Sequence, residues 1–317
     1  MTERWPKLDY EADRPVIESL HAYLQVMGKL PTRALPWCNH SWHLALRVVP
    51  RGFRSYPVFT ASGEVEVLFD CLSSKVMVET SGGLVDGFDV TGQSVAHFFG
   101  QLSSLLDRAD VGTSVAGRPN EVETATPFSE DTTERIWDPA VLARIHRAFS
   151  DANRVFERFR TGFVGKSSPS HFFWGSLDLA VTRFSGREAP LHPGGFPNLP
   201  DAVTREAYSH EVASAGFWLG GGGVDQAAFY AYGYPTPDGL ADITVEPAGS
   251  YWQGELGEFI LPYEQVRNSI DPEQELMAFL ESTYSAVADL GDWSRKALEV
   301  PLGTFGKPYD VEVCRKG

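Results

Sequence analysis

The chain has little cysteine and no long apolar segment. Three cysteines in 317 residues, with no Cys-x-x-Cys spacing, argue against a disulfide framework and against a structural zinc site. No stretch approaches the roughly 20 apolar residues of a membrane span. The first thirty residues also contain no apolar run of signal-peptide length. We therefore expect a cytoplasmic protein that does not bind membranes.

Basic residues are also scarce. The chain has 27 Lys and Arg against 42 Asp and Glu, which gives a formal net charge of -15. An acidic protein repels the phosphate backbone, which is bound by clustered Lys and Arg. We therefore expect no nucleic-acid partner. Hydrophobic residues at 43% and charged residues at 22% are typical of an ordinary globular protein.

Hydrophobic periodicity predicts helices and strands in alternating groups. Apolar residues recur at helical spacing in four segments, which are residues 13–28, 91–106, 139–163 and 272–290. Between them, extended segments are predicted at residues 42–49, 64–69, 75–80, 172–184, 210–218, 227–234 and 258–262. The second and third of these form a predicted hairpin. The pattern predicts an α+β fold of two similar halves, each with a mostly antiparallel sheet and packing helices.

The predicted boundaries follow changes in composition. An N-terminal helix–sheet–helix half occupies residues 1–111, and a polar connection occupies residues 112–135. A C-terminal half, residues 136–300, carries most candidate site residues and is followed by a tail at 301–317. Both halves contain a histidine close before a tryptophan and then an apolar strand, which suggests duplication. Helix and sheet also alternate without duplication, so both origins stay open.

Five histidines suggest one metal-dependent site. The proposed ligands are His40, His43, His171, His192 and His210, with Glu211 or Asp178 as a further ligand or catalytic base. Imidazoles with one carboxylate suit zinc or non-haem iron. The spacing of His40 and His43 fits shared ligation on a helix, whereas the alternation that follows predicts a strand, on which they would diverge. Shared ligation then requires a loop or a bulge.

The alternative is a metal-free cleft that binds a small organic molecule. Its aromatic residues would be Trp174, Trp218, Tyr230 and Tyr232. Arg183, Arg187 and Arg205 would pair with an anionic group of the ligand. Asp178 has a structural alternative of its own, because a buried carboxylate needs a partner such as Arg183 or Arg205. The sequence leaves open the reaction, the oligomeric state and whether the protein is an enzyme.

Several long phrases resemble those of a known family. They are His40-Ser-Trp-His43, His171-Phe-Phe-Trp-Gly-Ser-Leu-Asp-Leu-Ala-Val-Thr-Arg-Phe-Ser-Gly186, His192-Pro-Gly-Gly195, Thr204-Arg-Glu-Ala-Tyr-Ser-His-Glu211 and Glu255-Leu-Gly-Glu-Phe259. Together they are similar to a bacterial family known as domain of unknown function 5996, over nearly the whole chain from Trp5 to Pro301. The resemblance implies a bacterial, cytoplasmic protein. It brings no established activity, so it assigns no functional residue.

Overall fold

The structure is a computed structural model that describes residues 3–301 except 30, 31, 33, 62, 84 and 112–116. Residues 112–116 of the predicted connection, residues 302–317 of the predicted tail, and Cys314 lie outside the described residues. The chain forms two compact units. The first contains residues 1–150, 171–178 and 193–207, and the second contains residues 151–170, 179–192 and 208–317.

Seven α-helices lie in the described residues. They are α1 (Tyr10–Gly28), α2 (Val95–Arg108), α3 (Pro139–Arg160), α4 (Asp201–Ala207), α5 (Tyr263–Asn268), α6 (Pro272–Leu290) and α7 (Arg295–Leu298). Helix α1 begins earlier than predicted, because the Asp9 carboxylate accepts the Ala12 N–H at 3.2 Å and caps the helix. Pro15 therefore lies inside the helix rather than in its first turn. None of the described helices is long and apolar enough to cross a membrane.

The first unit contains one complete antiparallel sheet. Its strands are β1 (Arg47–Val49), β2 (Gly52–Arg54), β3 (Val58–Thr60), β4 (Gly63–Asp70), β5 (Lys75–Thr80) and β6 (Val85–Asp89). The order is β1-β2-β4-β5-β6, and β3 pairs with β4. Strand β7 (His171–Phe173) also belongs to this unit, where Phe172 exchanges backbone hydrogen bonds of 2.8 and 3.0 Å with Leu46.

Aromatic packing in the first unit orients helix α1. Tyr23 stacks on Phe98 of α2 with the ring centroids 4.5 Å apart, and its hydroxyl donates to the Gln93 carbonyl at 2.5 Å. Successive helical residues are about 100° apart, so residues two positions from Tyr23 lie on the other side of α1. His21 and Gln25 therefore face away from α2 and are directed toward other segments of the unit.

The second unit contains five strands of an antiparallel sheet. They are β8 (Asp178–Glu188, which begins with the last residue of the first unit), β9 (His210–Trp218), β10 (Ala228–Tyr234), β11 (Tyr251–Gln253) and β12 (Glu258–Pro262). Their order is β11-β12-β10-β9-β8. In the antiparallel register, Phe229 lies opposite Phe217, and the two rings pack 4.9 Å apart in the core. Helix α6 packs against β9 and β10.

The predicted α+β class with antiparallel sheets is confirmed. Two extended predictions were wrong in part. Residues 42–44 are turns that precede β1, after a 3-10 turn (Asn39–Ser41) in which His40 and Ser41 have φ of 60° and 54°. Residues 172–184 are not one strand, because a turn with Leu177 at φ 56° separates β7 from β8. Hydrophobic alternation cannot reveal such left-handed residues.

Candidate functional site

The C-terminal half of α1 carries three polar side chains on one face. His21, Gln25 and Lys29 are four residues apart, and residues at this spacing lie one above the other on a helix. His21 Nε2 lies 2.9 Å from the Gly175 carbonyl, which requires the hydrogen to be on Nε2. The Gln25 amide donates to the Asn120 carbonyl at 2.8 Å and accepts the Asn120 N–H at 3.0 Å. These bonds join α1 to residues 120 and 175.

Lys29 follows the last residue of α1 and is only 6% exposed. Its ammonium group donates to Asn120 Oδ1 and lies over the Trp174 ring, 5.4 Å from the centroid. Burial lowers the pKa of Lys29 to about 8, and the negative charge of Glu121 opposes part of this decrease. The amine is therefore close to its own pKa near neutral pH.

The Glu121 carboxylate is close enough to this amine for its charge to act on it. Glu121 as a residue is exposed, yet its carboxylate packs on Gly175, because a Cβ added to Gly175 would overlap Glu121 Oε1. Burial raises the pKa of Glu121 to about 7; the charge of Asp178 adds to this effect and Lys29 opposes it. Asp178 is buried and accepts the Ser176 hydroxyl at 2.5 Å.

We call His21, Gln25, Lys29, Glu121 and Asp178 the amine–carboxylate cluster. The acidic residues belong to backbone segments with uncommon conformations. Glu121 itself has φ 59°, and Leu177 immediately before Asp178 has φ 56°. Left-handed φ at residues other than glycine is unfavourable and recurs at functional sites.

Trp174 supplies an apolar wall to the cluster. Its indole N–H donates to the Leu44 carbonyl at 2.8 Å, which fixes the ring. A Cβ added to Gly28 would overlap this ring, so the ring lies directly on the last turn of α1. The cluster therefore combines an amine, an imidazole and two carboxyl groups beside one indole face. Perturbed titratable groups that meet in this way are typical of functional sites.

The three predicted metal ligands of the first unit all contact tryptophans. The rings of His40 and His171 lie 5.6 and 5.7 Å from the Trp42 ring. His43 packs edge-on against Trp37 at 5.0 Å, and its Nδ1 accepts the Cys38 N–H at 3.3 Å. Burial lowers the pKa of His43, while the nearby Glu206 opposes this shift. The neutral imidazole is thereby favoured at His43.

The predicted ligands of the second unit have different surroundings. His192 stacks on Tyr208 at 4.7 Å and lies 4.9 Å from the Tyr234 ring. His210 is exposed, with its Nδ1 3.1 Å from the Ser209 hydroxyl. Among the described residues, no group of three or more His, Cys, Asp or Glu side chains is arranged to hold a metal ion. The zinc or iron site stays a prediction.

The predicted arginines have protein partners. Arg183 is 1% exposed, donates to the Phe159 carbonyl at 2.5 Å, and packs its guanidinium 3.4 Å from the Phe159 centroid. Arg187 makes hydrogen bonds of 2.9 and 2.7 Å to Glu211. Arg205 pairs with Asp201 at 3.3 Å. Arg183 in particular is placed as a core residue.

The predicted aromatic ligands of the second unit pack on one another. Trp218 lies 5.2 Å from Tyr230, and Tyr230 stacks on Tyr232 with the centroids 6.2 Å apart. The hydroxyls of Tyr232 and Tyr208 are 2.7 Å apart. Burial raises the pKa of Tyr232 well above its usual range. This row of rings stabilises the sheet surface through its own contacts.

A family model matches residues 5–300, and its description is family of unknown function (DUF5996). The chain belongs to this family. The resemblance drawn from the sequence phrases is confirmed. No curated protein and no solved structure matches the chain. The family description gives no activity, so the function has to be inferred from the geometry.

The sequence predicted two of the residues at this site. Asp178 belongs to the amine–carboxylate cluster and Trp174 borders it, and both were candidate site residues. The missed residues are His21, Gln25, Lys29, Asn120 and Glu121. A signal existed only at the C-terminal end of α1, where polar residues 21, 25 and 29 recur every fourth position among otherwise apolar residues. Nothing local distinguishes Glu121 from the other polar residues around it.

Proposed function

We propose that the protein binds a small organic molecule at the amine–carboxylate cluster and transfers protons to and from it through its own side chains. The observation that carries the proposal is that the Lys29 amine, at the end of α1, is buried over the Trp174 ring and is acted on by the charge of Glu121. The proposal keeps the small organic substrate and the cytoplasmic location expected from the sequence.

The two carboxyl groups support acid–base chemistry because they affect each other. The negative charge of Asp178 favours the protonated form of Glu121, and the Lys29 cation opposes it. Glu121 therefore titrates at about pH 7 and Lys29 at about pH 8. Groups that gain and lose protons close to the working pH are the most effective general acids and bases.

The surroundings of the cluster suit an organic ligand. Glu121 and Ser176 are exposed to solvent. Lys29 and Trp174 are buried and offer a polar and an apolar group. Small-molecule sites commonly combine an apolar wall with a few converging polar groups.

A thermal-shift screen in the presence of EDTA tests this function. Hydroxy acids, amino acids, sugars and carbonyl compounds are added to wild type, Glu121→Gln and the matched control Glu123→Gln, which alters an exposed acid two residues away. A ligand of this site raises the melting temperature of wild type and of Glu123→Gln. Its affinity for Glu121→Gln falls at least about tenfold, or about 1.4 kcal/mol. Equal affinity for both variants, or no stabilising compound in any class, contradicts the proposal.

The metal-dependent function is a second candidate, and one observation favours it. His40 and His171 are far apart in sequence, yet both contact the Trp42 ring in the first unit. A metal-dependent enzyme would lose ligand-induced stabilisation in EDTA and recover it with added zinc or iron. Elemental analysis of protein purified without a histidine tag provides the independent measurement.

A further inference from the structure

We propose that Lys29 is a nucleophile that forms an imine with a carbonyl group of the bound molecule. This inference rests on the proposed function, since it concerns the same site. It narrows the substrate class to aldehydes, ketones and oxo acids. The geometry points to Lys29 because its amine is buried, lies 5.4 Å from the Trp174 ring centroid and is held by Asn120 Oδ1.

The position of Lys29 fits a reactive amine rather than a surface cation. Lys29 is the first residue after α1. Its Nζ donates a hydrogen bond to Asn120 Oδ1, which orients the amine. The charge that acts on the amine is that of Glu121, and Gln25 and His21 lie one and two turns earlier on α1. An amine whose pKa is lowered by burial has a larger neutral fraction, and only the neutral form attacks a carbonyl.

The chemical step balances without an oxidant or a reductant. The lone pair of the neutral Lys29 nitrogen forms a bond to the carbonyl carbon, and the C=O π electrons move to oxygen, which takes up a proton. The nitrogen loses a proton and gives a carbinolamine. Glu121, in its protonated form, donates a proton to the hydroxyl group as the C–O bond breaks. Water leaves as the nitrogen lone pair forms the C=N bond of a protonated imine, and the remaining N–H proton passes to the Glu121 carboxylate to give the neutral imine.

Lys75 provides a matched comparison within the same unit. Its side chain is 50% exposed and pairs with Asp89 at 3.2 Å. It therefore lacks the burial that favours the neutral amine at Lys29. The two amines should differ in reactivity toward the same carbonyl compound.

Reductive trapping tests the inference. The full chain is incubated with pyruvate and, separately, with glycolaldehyde at pH 7.5 in the presence of sodium cyanoborohydride, and adducts are located by peptide mass spectrometry. We expect one main adduct, on Lys29, formed at least about tenfold faster than on Lys75, since a decrease of one unit in pKa changes the neutral fraction about tenfold. Lys75→Met keeps this adduct and Lys29→Met loses it. Because labelling needs the neutral Lys29 amine and the protonated Glu121 carboxyl, its rate should be highest between pH 7 and pH 8 and fall on either side.

Two outcomes overturn the inference: Lys29 stays unlabelled by both probes, or Lys75 and other exposed lysines react at least as fast. Glu121→Gln gives a test that does not depend on the folding of a lysine variant, because loss of the acid should slow labelling of Lys29 while Glu123→Gln leaves it unchanged. If Lys29 is unlabelled but Glu121→Gln still abolishes ligand binding, the imine is wrong and the acid–base site stands. If Lys29 reacts with the carbonyl probes but Glu121→Gln binds ligands as tightly as wild type, the imine is supported and the proposed acid–base function is wrong.

Discussion

Lys29 in the first unit and Arg183 in the second are both buried cations, and they differ in how their charge is accommodated. The Arg183 guanidinium lies 3.4 Å from the Phe159 centroid and 4.3 Å from the Tyr284 centroid, with Glu281 at 3.6 Å. Lys29 has one ring face, one neutral amide acceptor and the nearby charge of Glu121. The two cations are therefore similarly buried, but more neighbouring groups stabilise the charge of Arg183 than the charge of Lys29.

The two side chains also respond differently to burial. Burial lowers the pKa of both, but arginine starts so high that Arg183 stays charged, whereas the pKa of Lys29 falls to about 8. Burial alone therefore does not bring the pKa of a cation close to neutral pH. What matters is whether its ordinary pKa lies close enough to neutrality for burial to bring it there.

The largest expected effect is that of Arg183→Met. Loss of the guanidinium removes its hydrogen bond to the Phe159 carbonyl and its packing on two aromatic rings, so we expect the free energy of unfolding to fall by about 3 kcal/mol. Chemical denaturation measures this. Arg14→Met is the control: its exposed ion pair with Glu18 should contribute less than about 1 kcal/mol. Similar losses for the two variants would show that Arg183 is not a structural cation.

Gly28→Ala should have an intermediate effect. The new Cβ overlaps the Trp174 ring beside Lys29, and such overpacking typically costs about 1–3 kcal/mol. Gly100→Ala in α2 is the matched control. Nothing lies within 4 Å of its added Cβ, so alanine should stabilise that helix by about 0.5–1 kcal/mol. If thermal unfolding shows that Gly28→Ala is as stable as wild type, Trp174 does not pack on α1 as described.

The smallest expected effect on stability is that of Lys29→Met, in contrast to Arg183→Met. Near pH 7 the folded state must hold Lys29 charged in a buried position, so methionine should leave the free energy of unfolding unchanged or raise it by about 1 kcal/mol. The folded pKa of Lys29 lies below the unfolded value of 10.5. The contribution of Lys29 to the free energy of unfolding is therefore fully present above pH 10.5. It decreases as the pH falls below 10.5 and is lost once the pH has fallen through 8.

Urea denaturation of wild type and Lys29→Met at pH 7 and pH 10 measures this difference. Any advantage of the variant should shrink at the higher pH, where Lys29 is neutral in the folded protein. A variant that is less stable than wild type by more than about 1 kcal/mol at pH 7 would show that Lys29 is a structural cation like Arg183.

Much of the fold could be predicted from the sequence. The hairpin of β4 and β5, the strand β12 and the helix α6 lie at or within one residue of the predicted positions, since each has a clear apolar period and turn or capping residues beside it. Helix α4 was missed because a helix of seven residues is too short to show a period. The turns at residues 39–44 and 174–177 were missed because left-handed residues interrupt segments whose composition favours strands.

The α+β class, the main helices and strands, and the family membership could be read from the amino-acid sequence, because they depend on local periodicity and on long characteristic phrases. The sequence also indicated Trp174 and Asp178 as candidate site residues. That residues 21–29, 120–121 and 174–178 meet is evident only in the folded protein, where hydrogen bonds join Gln25 to Asn120 and to Gly175. The surroundings of Lys29 depend on burial, on the Glu121 charge and on the Trp174 ring, which come from distant segments that no local pattern encodes.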